Sequence, residues 1–374
     1  VTDWQSSTPP LDGPLPPPTP DAGPMRFAIH GLPAEVRCDD PALSAVAAAV
    51  ARQFEPFATG AFPPGFAAVT GTVEPFDPGV VQRHLSTGAV RFPAGVGPTA
   101  ELFHDPRDAE RFWLVDDRWG IAELNLLRGR WRAWVLPRPT IDPTELAEAA
   151  VLWPVAQLLR NKGLHLLPAV SIARDGWAAL IVCPFGIEPE LGALIDAGYA
   201  VIGQRWTAVR EEDGRFALLH MPGWVQRRAA PRLRYLGVEA PATTDGDRVD
   251  LTAGNPLAAL NHAFCDVVLI AEPGRRPAAH ARDLPTSAAA NVLRRAWPLV
   301  DLQPDRKAVQ LSRGLARRCR CAELQLGREA TDLLRLLDGV RPRPTVFPIT
   351  VAVPTGSLRL TTAALPARPL TRAG

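Results

Sequence analysis

The stretch Leu180–Tyr199, "LIVCPFGIEPELGALIDAGY", decides how the chain is read. An apolar run that ends near Val182 gives way to a loop carrying Gly186, and "EPELGALIDAG" follows with helical spacing. Strand, loop, helix is the opening of a βαβ unit, and the loop after the first strand is where such units hold their ligands. It begins like a phosphate-binding loop. Such a loop closes on a lysine, yet the only lysines of the chain are Lys162 and Lys307.

Outward from this stretch, "LHLLPAVSIARDG" and "WAALIVCPFG" read as two strands joined at Asp175-Gly176, and "YAVIGQRWTAVR" as a third strand after the helix. "EDGRFALLHMPG" has the pattern of a hairpin strand, "NPLAALNHAF" of a helix and "CDVVLIAEPG" of a buried strand. "SAAANVLRRAWPLV", "DRKAVQLSRGLARRC" and "REATDLLRLLDGV" read as helices, and "RPRPTVFPITVAVPTG" as one strand between proline-rich connections. Upstream, "TIDPTELAEAAVLWPVAQLLRNKG" carries a Thr/Asp N-terminal signal, early glutamates and a basic end closed by Gly163, so it predicts a helix. "MRFAIHGLPAEVRCDD" reads as a strand pair turning at Gly31-Leu32-Pro33, and "DPALSAVAAAVARQF" as a helix opened by Asp40-Pro41. "AVRFPAG", "RFWLVDDRWGIAELNLL" and "RWRAWVLPRP" alternate like antiparallel strands covered on one face.

The expected organisation is a proline-rich tail at 1–24, a small α+β domain at 25–140, an α/β domain at 141–340 with a mixed sheet and flanking helices, and a last strand with a loose tail at 341–374. Met25 follows the tail directly, so Val1 and Met25 are both candidate starts. No run of some 18 apolar residues is present, and the tail lacks the pattern of a secretory signal; a cytoplasmic protein without a membrane span is expected. The formal charge is +2, with basic residues interspersed among acids, so no nucleic-acid footprint stands out. The five cysteines, Cys38, Cys183, Cys265, Cys319 and Cys321, lack zinc-site spacing; no metal is expected, and Cys319 and Cys321 read as one buried and one exposed thiol. His84, His104, His220, His262 and His280 are too dispersed along the chain to mark a site.

On "GLHLLPAVSIARDGWAALIVCPFG", "LIDAGYAVIGQRWTAV", "EDGRFALLHMPG" and the N-terminal "FAIHGLPAEVRCDDPALSAVAAAVARQF", the chain resembles the HPr serine kinase/phosphorylase-like family. More narrowly, it is similar to the HPr kinase-related proteins of bacterial gene clusters for peptide modification and cell-surface polymers. The resemblance implies a P-loop fold of the HPr kinase type. It also implies GPSGSGKST in the loop, where backbone N–H groups wrap the phosphates, the lysine reaches the β and γ oxygens and the hydroxyl holds Mg²⁺. Here those positions are held by Cys183, Pro184, Phe185, Gly186, Ile187, Glu188, Pro189 and Glu190, a degenerate loop without lysine or hydroxyl. Pro189 lacks a backbone donor, and Glu188 and Glu190 place negative charge where phosphate would sit. A second family motif, an acidic pair in a Ser-Asp-Asp-Trp-like context that binds metal and accepts the substrate's proton, is replaced by Gly203, Gln204, Arg205 and Trp206. The lead-in histidine, His165, is retained.

The resemblance with these departures implies a pseudo-kinase that binds a peptide, carrier domain or partner enzyme and uses no cofactor. Trp224, Arg227, Arg228, Arg275 and Arg276 are candidate contacts. The alternative is an active Mg-ATP-dependent serine kinase with a rebuilt site, in which Arg205 or Arg210 holds phosphate and Glu188 or Glu190 holds metal. The family's kinases form hexamers, so an oligomer is open. An unrelated hydrolase is disfavoured by the absence of a Gly-x-Ser-x-Gly elbow.

Overall fold

The computed structural model describes residues 23–58, 62, 67–79, 90–93, 100–138, 140–182, 187–221, 225–226, 248–249, 261–275, 278–296, 306–327, 329 and 331–340. The expected tail, apart from Gly23 and Pro24, and the expected last strand beyond residue 340 lie outside these residues.

The first sheet grows from a hairpin of β1 (Met25–Ile29) and β2 (Leu32–Arg37). His30 and Gly31 form its turn at positive φ, 47° and 84°, the primed geometry whose twist matches that of paired strands. The turn falls one residue before the expected position because Leu32 and Pro33 already pair with Ile29 and Ala28. Asp40 accepts the Ala42 N–H at 2.8 Å and starts a 3₁₀ turn that runs into α1 (Ser44–Phe54). β3 (Val69–Pro75), β4 (Val90–Pro93), β5 (Ala100–Asp105), β6 (Asp108–Asp116), β7 (Gly120–Asn125) and β8 (Arg130–Val135) complete the sheet. Its order is β1-β2-β3-β8-β7-β6-β5-β4, with β3 parallel to both neighbours and the other pairs antiparallel.

The predicted central helix is present, with a change of pitch inside it. Asp142 caps α2 (Pro143–Ala147), a π turn spans Glu148–Leu152, and α3 (Trp153–Arg160) follows. Pro154 accounts for the π turn: it cannot donate to the Ala150 carbonyl, and its ring would crowd that oxygen in a regular helix. The Ala150 oxygen instead accepts the Trp131 indole N–H at 3.2 Å, which joins the helix to β8. Every residue of α3 is buried, and its Leu158 and Leu159 share one core with Phe54, Val69 and Leu124 of the first sheet's layer. Burying each such side chain stabilises by roughly 1.5–3 kcal/mol.

The second sheet is mixed, in the order β12-β10-β11-β18-β20-β19. Its strands are β10 (Val170–Arg174), β11 (Trp177–Val182), β12 (Ala200–Gly203), β18 (Val267–Arg275), β19 (His280–Asp283) and β20 (Arg320–Leu326). β11, β18 and β20 are parallel neighbours. The segment α4 (Glu188–Asp196) links β11 to β12, with β10 inserted between the two strands, so the βαβ unit is of the split kind. Along β11, Ala179 and Ile181 face a core with α4 and α7 (Asp332–Val340), while Leu180 and Val182 face a core with α5 (Thr286–Ala296) and α6 (Arg306–Arg318). Two covered faces explain the unbroken apolar run.

A four-stranded antiparallel sheet, β17-β14-β13-β9, packs beside it. It comprises β9 (His165–Pro168), β13 (Trp206–Glu212), β14 (Arg215–His220) and β17 (His262–Phe264), and a two-stranded ribbon pairs β15 (Val225–Gln226) with β16 (Arg248–Val249). Three sequence expectations are corrected. "LHLLPAVSIA" is two strands on two sheets, broken where the Ala169 N–H turns to the Arg205 carbonyl at 3.0 Å, and "YAVIGQRWTAVR" likewise splits into β12 and β13. The expected helix "NPLAALNHAF" ends in β17, drawn into the sheet by pairing of His262 and Phe264 with Leu219 and Ala217, while 251–260 lies outside the described residues. The fold is mixed α/β, and no helix among the described residues is long and apolar enough to cross a membrane.

Candidate functional site

The carboxyl ends of β11 and β12 lie at the same end of the mixed sheet, which is where open α/β sheets leave a ligand crevice. Cys183, Pro184, Phe185 and Gly186 of the opening stretch lie outside the described residues. The chain is described again from Ile187, which is buried in the core under α4. Glu188 and Pro189 occupy the first turn of α4, and the Glu190 side chain is buried, 1 % exposed, with its backbone N–H on the Ile187 carbonyl at 3.0 Å. At the helix's other end, Tyr199 is buried edge-on against Trp177, ring centroids 6.1 Å apart, with Arg174 over its ring.

The Gly203–Trp206 step forms the bend between β12 and β13. A Cβ at Gly203 would lie 2.4 Å from Thr207 Oγ1 and 2.5 Å from the Trp206 carbonyl oxygen, so the bend demands glycine. The Thr207 hydroxyl donates to the Ala169 carbonyl at 3.0 Å and contacts the Ser171 hydroxyl at 2.8 Å. Gln204 is 2 % exposed. Arg205 leans the other way, its Nε 3.2 Å from Glu148 Oε1, and the Trp206 indole donates to the same oxygen at 2.8 Å. The bend that resemblance assigns to an acidic pair is thus tied to the π turn after α2. His165, buried in β9 and paired with Val209, belongs to the four-stranded sheet, not to the sheet carrying Val182 and Gly203.

A second constellation was not legible in the sequence. His30, at the β1–β2 turn, places Nε2 2.5 Å from the His220 carbonyl oxygen, so it donates there, and the His220 Nδ1–H donates to the Ile202 carbonyl at 2.7 Å. Arg210 donates to the His30 carbonyl at 3.1 Å and holds Glu212 Oε1 through two nitrogens, at 2.5 and 2.8 Å, while His262 meets Glu212 Oε2 at 3.2 Å. Burial pushes the His30 imidazole down to about 4. Burial would raise the Glu212 carboxyl, but Arg210 and His262 outweigh it and hold it below its ordinary value. His220 and His262, which look dispersed in the sequence, therefore join His30 in one network, running from the first hairpin to the strand end that carries Gly203. The one local signal was "IHGL", a turn in which histidine takes a positive φ.

Both arginines considered as phosphate clamps are engaged with carboxylates, Arg205 with Glu148 and Arg210 with Glu212. Cys319 and Cys321 are both buried, which corrects the expectation of one exposed thiol, because both, two residues apart, join the core beneath α5 and α6. Cys319 Sγ lies 3.3 Å from the Cys265 carbonyl oxygen, and burial pushes the Cys321 thiol up to about 12. No group of three or more His, Cys, Asp or Glu side chains that could hold a metal occurs among the described residues. Trp224, Arg227, Arg228 and Arg276 lie outside those residues, and Arg275 ends β18 opposite Leu326.

No family model and no curated protein matches the chain. Among solved structures, the HPr(Ser) kinase/phosphatase from Coxiella burnetii is similar at a TM-score of 0.29 and 12% identity, over 47% of this chain and 96% of that one. A likeness of that size fixes neither the fold nor the activity.

Proposed function

We propose that the chain is a binding or accessory protein on an HPr kinase-like scaffold, acting on a peptide, a carrier domain or a partner enzyme, and that it does not transfer phosphate. The observation that carries this reading is the bend after β12. Where the resemblance calls for two carboxylates, Gln204 is buried and Arg205 is paired with Glu148. Neither side chain can take a proton from a substrate hydroxyl at neutral pH. The loop sequence supports the same reading, since it offers no lysine or hydroxyl and places Glu188 and Glu190 at the start of α4. Loss of even one such group removes several kcal/mol of transition-state stabilisation. Turnover of Mg-ATP, followed as ADP formed, tests it: formation at the rate of a protein-free blank is expected, and ADP formation that disappears in Arg205→Ala would support the rebuilt kinase instead.

A further inference from the structure

The helices α5 and α6 contain seven of the chain's 41 Lys and Arg residues and none of its 39 Asp and Glu, so the rest of the chain taken alone is net negative. Interspersion of charges along the sequence therefore breaks down in this layer. The two helices lie on one face of the mixed sheet, sharing a core through Ala289, Leu293, Ala308, Leu311 and Leu315. Their opposite faces are turned to solvent. On α6, exposed Lys307, Gln310, Arg313 and Arg317 recur at intervals of three and four residues, a single stripe of about 15 Å. On α5, exposed Asn291, Val292 and Arg295 share one face, with half-buried Arg294 beside it.

At the centre of this layer, guanidinium groups lack carboxylate partners among the described residues. Arg318, at the end of α6, pairs with Glu211, and Arg320 beyond it pairs with Asp283. Among the described residues no carboxylate pairs with Arg294, Arg295, Arg313 or Arg317. Val292, at 37% exposed, is one of two large exposed hydrophobic side chains among the described residues.

We infer that the outer face of α5 and α6 docks an acidic protein segment, its carboxylates displayed at helical spacing along the arginine stripe and an apolar side chain resting on Val292. Charge complementarity argues for the anion. An exposed aliphatic among arginines argues for protein, since arginine is enriched at protein interfaces. Single-stranded nucleic acid is usually held by aromatic stacking, and neither helix contains an aromatic residue. The inference stands apart from the reading of the crevice, because nucleotide binding there would leave this face unchanged.

The test is fluorescence anisotropy with a labelled helical peptide of about twenty residues, about 30 Å long, carrying glutamates three and four apart. The full-length protein should bind it in a salt-sensitive way, and the triple variant Arg295→Ser, Arg313→Ser, Arg317→Ser should weaken binding by at least about tenfold. A control triple of exposed residues elsewhere, Arg107→Ser, Arg128→Ser, Arg130→Ser, changes net charge equally and should bind as the wild type does. If the helix triple fails to fold, Arg313→Ser and Arg317→Ser singly should each show a smaller loss. Equal binding by wild type and helix variants, equal loss in both triples, or tighter binding of a duplex DNA than of the peptide at physiological salt would each overturn the inference.

Discussion

Glu148 and Arg205 are 3.2 Å apart, Oε1 to Nε, and this pair fastens the bend after β12 to the π turn of the central helix. The same oxygen accepts the Trp206 indole N–H, so one carboxylate serves two residues of the bend. The consequence is chemical as well as structural: the one guanidinium at the bend is turned toward a carboxylate of its own chain.

Removing that acceptor has a graded cost. Glu148→Ala should destabilise the fold by about 1–3 kcal/mol, mainly because the largely buried Trp206 N–H loses its partner. Glu148→Gln should cost less, since an amide oxygen still accepts. Arg205→Ala should cost under about 1 kcal/mol, because its side chain is 42% exposed and the pair is screened by water. Urea unfolding of the three variants reads the order, and an Arg205 effect equal to that of Glu148 would contradict it.

Gly203→Ala places a methyl group 2.5 Å from the Trp206 carbonyl oxygen and 2.4 Å from Thr207 Oγ1. The carbonyl cannot swing away without disturbing the strand, so a loss of about 1–3 kcal/mol is expected. Thr207→Ala in the same background relieves only the hydroxyl contact and should not restore stability. A neutral Gly203→Ala would mean that the bend relaxes freely.

Acid should loosen the contact between the first hairpin and the four-stranded sheet. His30 titrates near 4 in the folded protein because burial outweighs its bond to the His220 carbonyl, and His220, Arg210 and His262 add positive potential. In the unfolded chain the same group titrates near 6.5, so between the two values only the unfolded state binds the proton. Stability present above pH about 6.5 is therefore lost as pH falls toward about 4, by up to about 3 kcal/mol. Glu212, held below its ordinary value, adds a separate loss at more acidic pH. His30→Asn keeps a residue that tolerates positive φ and should flatten the dependence between pH about 6.5 and about 4; an unchanged slope would assign it to another group.

The cysteines should behave as packing residues. A hydrogen bond with Cys319, and then burial, raises the Cys265 thiol well above its ordinary value, and burial raises Cys321. Thiols so protonated react slowly. A thiol reagent should label Cys265, Cys319 and Cys321 only on unfolding, and elemental analysis should find no zinc lost on replacing Cys319 and Cys321. Stoichiometric zinc would reveal ligands brought in from elsewhere.

Elements whose signal is local were readable in the sequence. Asp40-Pro41, the Thr/Asp signal before Pro143 and the Asp175-Gly176 turn carry their own stereochemistry, and Asp175 and Gly176 are found at positive φ. The apolar run "CDVVLIAEPG" was legible as a buried strand, and Val267–Ile270 of β18 are buried. What escaped was long-range. Nothing local tells that Ala169 breaks one strand into two sheets, since the break is set by its bond to Arg205, nor that His262 lies in a strand rather than a helix. The His30–His220 contact joins positions 190 residues apart, and the partnership of Glu148 with Trp206 spans 58. Such pairs exist only once the sheets are assembled.

The account turns on whether the carboxyl ends of β11 and β12 accept a nucleotide. Isothermal titration of the full chain with Mg-ATP tests this directly, with Arg205→Ala alongside. The expected result is no saturable heat up to roughly millimolar nucleotide, a free energy weaker than about −4 kcal/mol, in both proteins. Saturable binding at roughly micromolar nucleotide that is lost in Arg205→Ala would contradict the account and make this chain a kinase with a rebuilt phosphate site.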